Sequence, residues 1–223
     1  MLVSCWSVKG GSGTTVVAAS LALMLAKSAP DGVLLVDLGG DVPAVLGMSE
    51  PSGPGVAEWL DAGSAVPVEG WGRLEVPATS SVHVIPRGVG PLCSRDRIDV
   101  LVGLLANEHR PVVIDCGVVG GAARTDEAEA ARACAASATH SLLVVRSCYL
   151  AMRRALRSPV HPSGIVLLRE VGRSFDGASV QGILGAPVIA EVEHDPAIGR
   201  AVDAGLLAGR LPRGLERALQ HAA

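Results

Sequence analysis

Seven short aliphatic runs punctuate this chain, and most are followed by a segment of helical character. The runs are 2–7, 32–37, 82–85, 111–115, 141–145, 164–168 and 188–192. Several are apolar without interruption instead of alternating, the pattern of strands covered on both faces. Helices are predicted over 14–27, 56–62, 95–108, 126–135, 149–157, 179–184, 196–204 and 212–221. Such alternation predicts an α/β fold that is doubly wound: a mostly parallel sheet with helices on both faces. Ligands of these sheets sit at the carboxyl ends of strands. That rule singles out residues 9–15, 38–47 and 116–125. Residues 51–55 read as a proline–glycine break and 63–79 as an irregular surface excursion. With no internal repeat and no long linker, residues 1–223 are expected to form one domain.

The first strand end carries Lys9-Gly10-Gly11-Ser12-Gly13-Thr14-Thr15, directly before the first apolar helix. A glycine turn there aims backbone N–H groups at one point beside the positive end of a helix dipole, which binds anions. Thr15 falls where a P-loop hydroxyl holds Mg²⁺, but Thr14 stands where the usual P-loop lysine belongs. Only two lysines, Lys9 and Lys27, occur among 19 basic residues, so a lysine beside this loop is unlike the rest of the composition. Two further strands, 33–37 and 112–115, end in Asp37 and Asp115, with glycines after each. An acid so placed holds Mg²⁺ through water or orients an attacking water. Glycine loops behind the acids suit segments that respond to a terminal phosphate.

Composition narrows the class. Hydrophobic residues make up 49% and charged residues 18%, a globular balance, and aromatics at 2% require an aliphatic core. No uncharged apolar run reaches the ~18 residues of a membrane span, and residues 1–8 lack a signal-peptide pattern, so a cytoplasmic protein is expected. Cys5, Cys93, Cys116, Cys134 and Cys148 form no CxxC pair, which argues against a zinc site or a disulfide framework.

The motifs KGGSGTT, VLLVDLGGDVPAVLG and VVIDCG together resemble the MinD/ParA family of deviant Walker ATPases. Within it, VVRSCYLAMRRAL, VGRSFDGASVQGILGAPVIAEVEHDPAIGRAVDAG and LPRGLERAL look like the CpaE/TadZ branch, linked to pilus assembly and secretion machinery. The resemblance runs nearly end to end and implies a P-loop NTPase fold without the receiver-like domain that often precedes it. It implies ATP and Mg²⁺ as cofactors and a homodimer that sandwiches the nucleotide. Lys9 matches the lysine that reaches the partner's phosphates. Gly10, Gly11, Ser12, Gly13 and Thr14 match the phosphate-cradling loop. Thr15, Asp37 and Asp115 match metal-site positions. Asp37 matches the first switch acid, Asp41 lies in its loop, and both join Lys9 as candidate catalytic residues. Arg169 and the segment Glu193, Asp195, Pro196 match the region lining the base.

Departures from the family pattern point to slow or absent hydrolysis. Thr14 removes a charge that stabilises the transition state. Gly39 replaces a second aspartate that positions water in ParA-type loops, and Arg169 replaces an asparagine that reads adenine. The expected function is therefore an ATP-binding dimerisation switch that positions a pilus, secretion or division assembly, recruited to the pole or membrane by a partner. The alternatives are a non-enzymatic scaffold or a DNA-tethered partition ATPase. Six arginines and one acid within 146–173 are expected to be a solvated face, with DNA not favoured. The terminal segment 211–223 is expected to pack as a helix through Leu211, Leu215, Ala218 and Leu219, not to insert in a membrane.

Overall fold

Each aliphatic run becomes a strand because both faces of the sheet are covered by helices. The computed structural model describes residues 1–63, 67–119 and 129–222. The order is β1 (Leu2–Ser7), α1 (Thr14–Leu25), β2 (Val33–Asp37), α2 (Val42–Leu46), α3 (Val56–Asp61), β3 (Val76–Pro77), β4 (Val82–Ile85) and α4 (Arg95–Ala106). It continues with β5 (Val112–Val118), α5 (Glu129–Ser137), β6 (His140–Arg146), α6 (Tyr149–Ala155), β7 (Gly164–Arg169), α7 (Gly177–Leu184), β8 (Val188–Glu193), α8 (Pro196–Asp203) and α9 (Arg213–Leu219). The described strands form one sheet in the order β3-β4-β2-β5-β1-β6-β7-β8. All pairings are parallel except that of the two-residue edge strand β3 with β4. The fold is the doubly wound α/β sheet that the alternation predicts.

Period-2 side-chain direction splits the core in two. Leu2, Trp6, Leu34, Val36, Val112 and Ile114 face α3 to α7. Val3, Cys5, Val33, Leu35 and Val113 face α1, α2, α8 and α9. Helix α1 is buried without a break from Val17 to Ala22, because it lies on the sheet and is itself overlaid by α2 and α9. Small side chains at Ala18, Ala19, Ser20 and Ala22 allow that close packing, and the Ser20 hydroxyl is satisfied by donating to the Val16 carbonyl at 2.6 Å. Trp6 is wholly buried and donates its indole N–H to Ser141 Oγ at 3.0 Å. The terminal helix packs as expected, with Leu215 and Leu219 in the core.

Two expectations need correction. Segment 63–79 is not merely an irregular excursion: it holds a 3₁₀ helix (Val68–Leu74) and β3. Trp71 and Leu74 in that 3₁₀ helix are buried, and Trp71 meets Trp59 edge-to-face at 5.1 Å. The Arg97 guanidinium lies 3.7 Å from the Trp59 ring centroid, a cation–π contact that desolvation strengthens. Arg110 then clamps Glu75 with two bonds of 2.8 and 2.9 Å. Burial of apolar surface, worth roughly 1.5–3 kcal/mol per large side chain, folds the segment back where its irregular sequence suggested a loop. Segment 38–47 likewise contains α2, started by Pro43 in the first turn and ended by Gly47 in the left-handed conformation. The helix predicted over 126–135 begins outside the described residues; its described part is α5.

Candidate functional site

Strand β1 pairs with β5 on one side and β6 on the other. The chain leaves β1 toward β2 and leaves β5 toward β6, so the two connections diverge. A crevice opens at such a switch point, and residues 8–13 fill its floor. Gly11 and Gly13 take φ of 73° and 78°, a left-handed conformation that glycine adopts at little cost. At position 13 a Cβ would also stand 3.1 Å from Leu168. Ser12 Oγ donates to the Lys9 carbonyl at 2.8 Å and Ser7 Oγ donates to it at 3.1 Å, closing the turn. The first intrahelical bond of α1 runs from Val17 N–H to the Gly13 carbonyl at 3.0 Å. No side chain caps this end, so the amides of Thr14, Thr15 and Val16 have no partner within the helix.

Two clefts flank the loop, and Gly11, Gly13 and Val16 line both. The larger, about 540 Å³, runs toward β2, β4 and β5, and its walls include Ser12, Thr14, Thr15, Gly39, Asp41 and Arg87. The smaller, about 280 Å³, runs toward β7 and β8. Leu168, Val192, Ile198 and Leu215 give it an apolar side, with Arg169, Glu193 and Asp195 at its polar side.

Beneath the larger cleft lie two carboxylates with no solvent exposure, Asp37 and Asp115. They are paired neighbours on β2 and β5. Asp37 Oδ1 accepts from Gly40 N–H at 2.6 Å and Oδ2 from Val42 N–H at 3.1 Å, so this acid shapes the following loop. Burial pushes its pKa up to about 7; the two amides oppose that rise, and Asp115 across the strand pair reinforces it. Asp115 is also raised, by burial first; the nearby Thr15 hydroxyl and the Gly117 N–H favour its charged form. Its Oδ1 accepts from Gly117 N–H at 3.0 Å. Its Oδ2 is buried with no well-formed hydrogen bond among the described residues. A buried acceptor left in that state is costly unless a ligand or ion completes it.

Gly39 and Gly117 are the reason the two acids fit. A Cβ at Gly39 would lie 2.9 Å from Asp115 Oδ2, and a Cβ at Gly117 would lie 3.1 Å from the Gly39 Cα. The loop after β2 and the end of β5 thus meet backbone to backbone. The position where ParA-type loops carry a second aspartate has no space for a side chain here.

The remaining candidates divide. Asp41 stands at the start of α2, makes no capping bond, and reaches the larger cleft. Lys9 is half-buried at the loop's start and lines neither cleft; among the described residues its Nζ donates only to the Gly10 carbonyl, at 3.4 Å. Arg169 pairs with Glu191 at 2.9 Å, and its carbonyl accepts from His194 N–H at 2.9 Å. Asp195 caps α8 by accepting from Ala197 N–H at 2.7 Å. Pro196 is in the first turn of α8 and does not line the cleft. Gly120 and Gly121, two of the glycines that follow Asp115 in the sequence, lie outside the described residues.

Sequence reasoning missed Arg87 and Arg146. Arg146 ends β6, donates to the Gly11 carbonyl at 3.3 Å and pairs with Glu170. Arg87 follows β4 in the larger cleft. Both sit at carboxyl ends of strands, the signal that would have found them. The basic stretch 146–173 is not uniformly solvated either: Glu170 takes both Arg146 and Arg173, leaving Arg153, Arg154 and Arg157 exposed on or just after α6.

No protein-family model and no curated protein sequence matches this chain. Solved structures do. A ParA family ATPase from Chlorobium tepidum matches at TM-score 0.74 and 16% identity, over 98% of this chain and 95% of that one. The septum site-determining protein MinD of Pyrococcus horikoshii, solved with Mg-ADP, matches at 0.73 and 18%, over 99% and 93%. MinD of Aquifex aeolicus, in its complex with MinC, matches at 0.66 and 17%, over 92% and 86%. At these identities the likeness is one of architecture: the chain shares the α/β fold of the MinD and ParA structures.

Proposed function

We propose that the chain is a MinD/ParA-like nucleotide switch: it binds ATP with Mg²⁺ and, so loaded, pairs with a second copy to recruit a protein partner. The observation that carries this reading is the buried, half-satisfied Asp115 beside Thr15, under an uncapped helix end and a glycine turn. That arrangement fits a nucleotide with Mg²⁺. The free amides of α1 accept an anion. Mg²⁺ typically takes one or two carboxylates and completes its shell with phosphates and water. The Thr15 hydroxyl and Asp115 are the groups that would hold it, with Asp37 shaping the adjoining loop. A bound Mg²⁺ would supply charge neutralisation at the phosphates. The apolar slot at Leu168, Val192, Ile198 and Leu215 suits a planar base, bordered by Arg169, Glu193 and Asp195. The Pyrococcus horikoshii neighbour was solved with Mg-ADP and the Aquifex neighbour with a protein partner, which supports the same reading here.

Hydrolysis is slow or absent on this reading. Thr14 brings no charge to the cleft, and Gly39 leaves no space for a second acid near Asp115. Lys9 is the residue that would cross to the partner's phosphates, since nothing acidic holds it among the described residues. The finer assignment, to the CpaE/TadZ-like branch acting with a pilus, secretion or division assembly, rests on the sequence resemblance. Among the described residues no helix is long and apolar enough to cross a membrane; on this reading a partner would bring the protein to a pole or membrane.

The test is calorimetry with Mg-ATP and Mg-ADP, paired with light scattering for mass. Micromolar binding and a doubling of mass with Mg-ATP, lost in Lys9→Ala, is the expected result. A folded sample that binds no nucleoside triphosphate overturns the proposal.

A further inference from the structure

Resting on the nucleotide reading, we infer that Arg87 is the in-subunit cation for the terminal phosphate, giving the site a preference for triphosphate over diphosphate. Three observations lead there. The loop of Gly11 and Gly13 is the divide between the two clefts. A nucleotide whose base fills the apolar slot on the β8 side lays its phosphates across those glycines. Its far end then points into the larger cleft, over Asp41 and above the buried Asp37 and Asp115. That end carries the most negative charge, and the local acids make it worse, so a cation is required there. Thr14 cannot supply it and Lys9 lines neither cleft. Arg87 is the one lysine or arginine among the described residues of the larger cleft's wall.

The second observation is how firmly the backbone of Arg87 is held. The Pro86 and Arg87 carbonyls accept from Val56 and Ala57 N–H, each at 2.9 Å. Glu58 closes the arrangement: Oε2 accepts from Gly55 N–H and Oε1 from Val89 N–H, both at 2.7 Å. Desolvation pushes the Glu58 carboxyl up, but the amide bonds and the attraction of the nearby Arg87 together hold it below the usual carboxylate range. The turn at 86–89 is thus bolted to the start of α3, and the base of the Arg87 side chain is fixed without any ligand. Pre-organisation of this kind lowers the entropic cost of gripping a phosphate.

The third observation is what the guanidinium does in the structure. Nη1 donates to the Gly90 carbonyl at 2.9 Å and to the Gly88 carbonyl at 3.4 Å. Nε and Nη2 have no hydrogen-bond partner among the described residues, and no carboxylate there lies within ion-pair distance of Arg87, although Glu58 is near enough to feel its charge. The side chain runs past Gly40, where a Cβ would stand 3.2 Å from Arg87 Cδ. A guanidinium resting on two neutral turn carbonyls gives them up readily for a phosphate, because charge-assisted bonds are roughly twice as strong and the fork matches phosphate geometry. Glycine at position 40 leaves the path open for that movement.

The experiment is equilibrium binding of a non-hydrolysable ATP analogue and of ADP, both with Mg²⁺, to full-length wild type, Arg87→Ala and Arg87→Lys. Wild type should prefer the triphosphate. Arg87→Ala should lose about 10-fold or more of triphosphate affinity while ADP affinity changes less than about twofold, and Arg87→Lys should restore part of the loss. Unfolding of the unliganded variants reports whether the turn still folds, and the triphosphate-to-diphosphate ratio is unaffected by a partial loss of folded protein. Equal losses for both nucleotides, or no loss, overturn the role of Arg87 alone. Wild type that binds neither nucleotide overturns this role together with the nucleotide site.

Discussion

Without nucleotide or metal, Asp37 should make the protein less stable as pH rises through the weakly acidic range. The group is fully buried, and burial lifts it from the ordinary 3.8 to about 7. Between those values the folded chain keeps a proton that the unfolded chain releases. More protons bound in the folded state means that stability falls with rising pH, by up to ~1.4 kcal/mol per unit for one site. Across roughly three units the loss is about 4 kcal/mol, complete once pH passes 7, and Asp115, shifted the same way, adds to it. Asp37→Asn removes the titration. It also forfeits one of two backbone bonds, because an amide nitrogen cannot accept from Gly40 or Val42 N–H, at a cost of about 1–3 kcal/mol. The two stability curves therefore cross: the variant is weaker near pH 4.5 and stronger near pH 7.5. Urea unfolding with a chelator present, at intervals from pH 4.5 to 8, measures both. Parallel curves for wild type and variant would refute the argument, since no proton would then be linked to folding at Asp37.

Three further outcomes follow from the packing. Gly39→Ala places a methyl group 2.9 Å from Asp115 Oδ2 and should destabilise the unliganded protein by about 1–3 kcal/mol in chemical denaturation; a change below ~0.5 kcal/mol would mean that the two segments separate freely. Trp71→Ala should cost about 3–5 kcal/mol by the same assay, as expected of a core residue and not of a surface loop. Lys9→Ala should leave unliganded stability within ~0.5 kcal/mol of wild type, because its one bond is an exposed 3.4 Å contact, while removing self-association driven by Mg-ATP.

The sheet was legible because its strands are sandwiched: Val33 to Val36 and Val112 to Ile114 are fully buried, so their apolar continuity survives in the sequence as a direct imprint of the fold. The glycine turn was equally legible, since positive φ at Gly11 and Gly13 demands glycine. What the sequence hid depends on distance. Trp71 and Leu74 look like scattered apolar residues until Trp59 and Arg97, far along the chain, give them a surface to cover. Helix α2 is only five residues long, too short for a periodic signal. Arg87 was legible only in part: its place at the carboxyl end of β4 is local, but its position opposite the glycine loop comes from the adjacency of β4 and β2, which nothing local to Pro86–Gly90 expresses.

Where Gly39 and Gly117 touch, two segments that are nearly eighty residues apart in the chain share one surface of contact. Neither can shift by an ångström without pushing the other. A molecule that presses the stretch after the second strand inward therefore meets the end of the fifth, without any side chain to relay it. Losing either of these two side-chain-free positions would cost the protein that transmission.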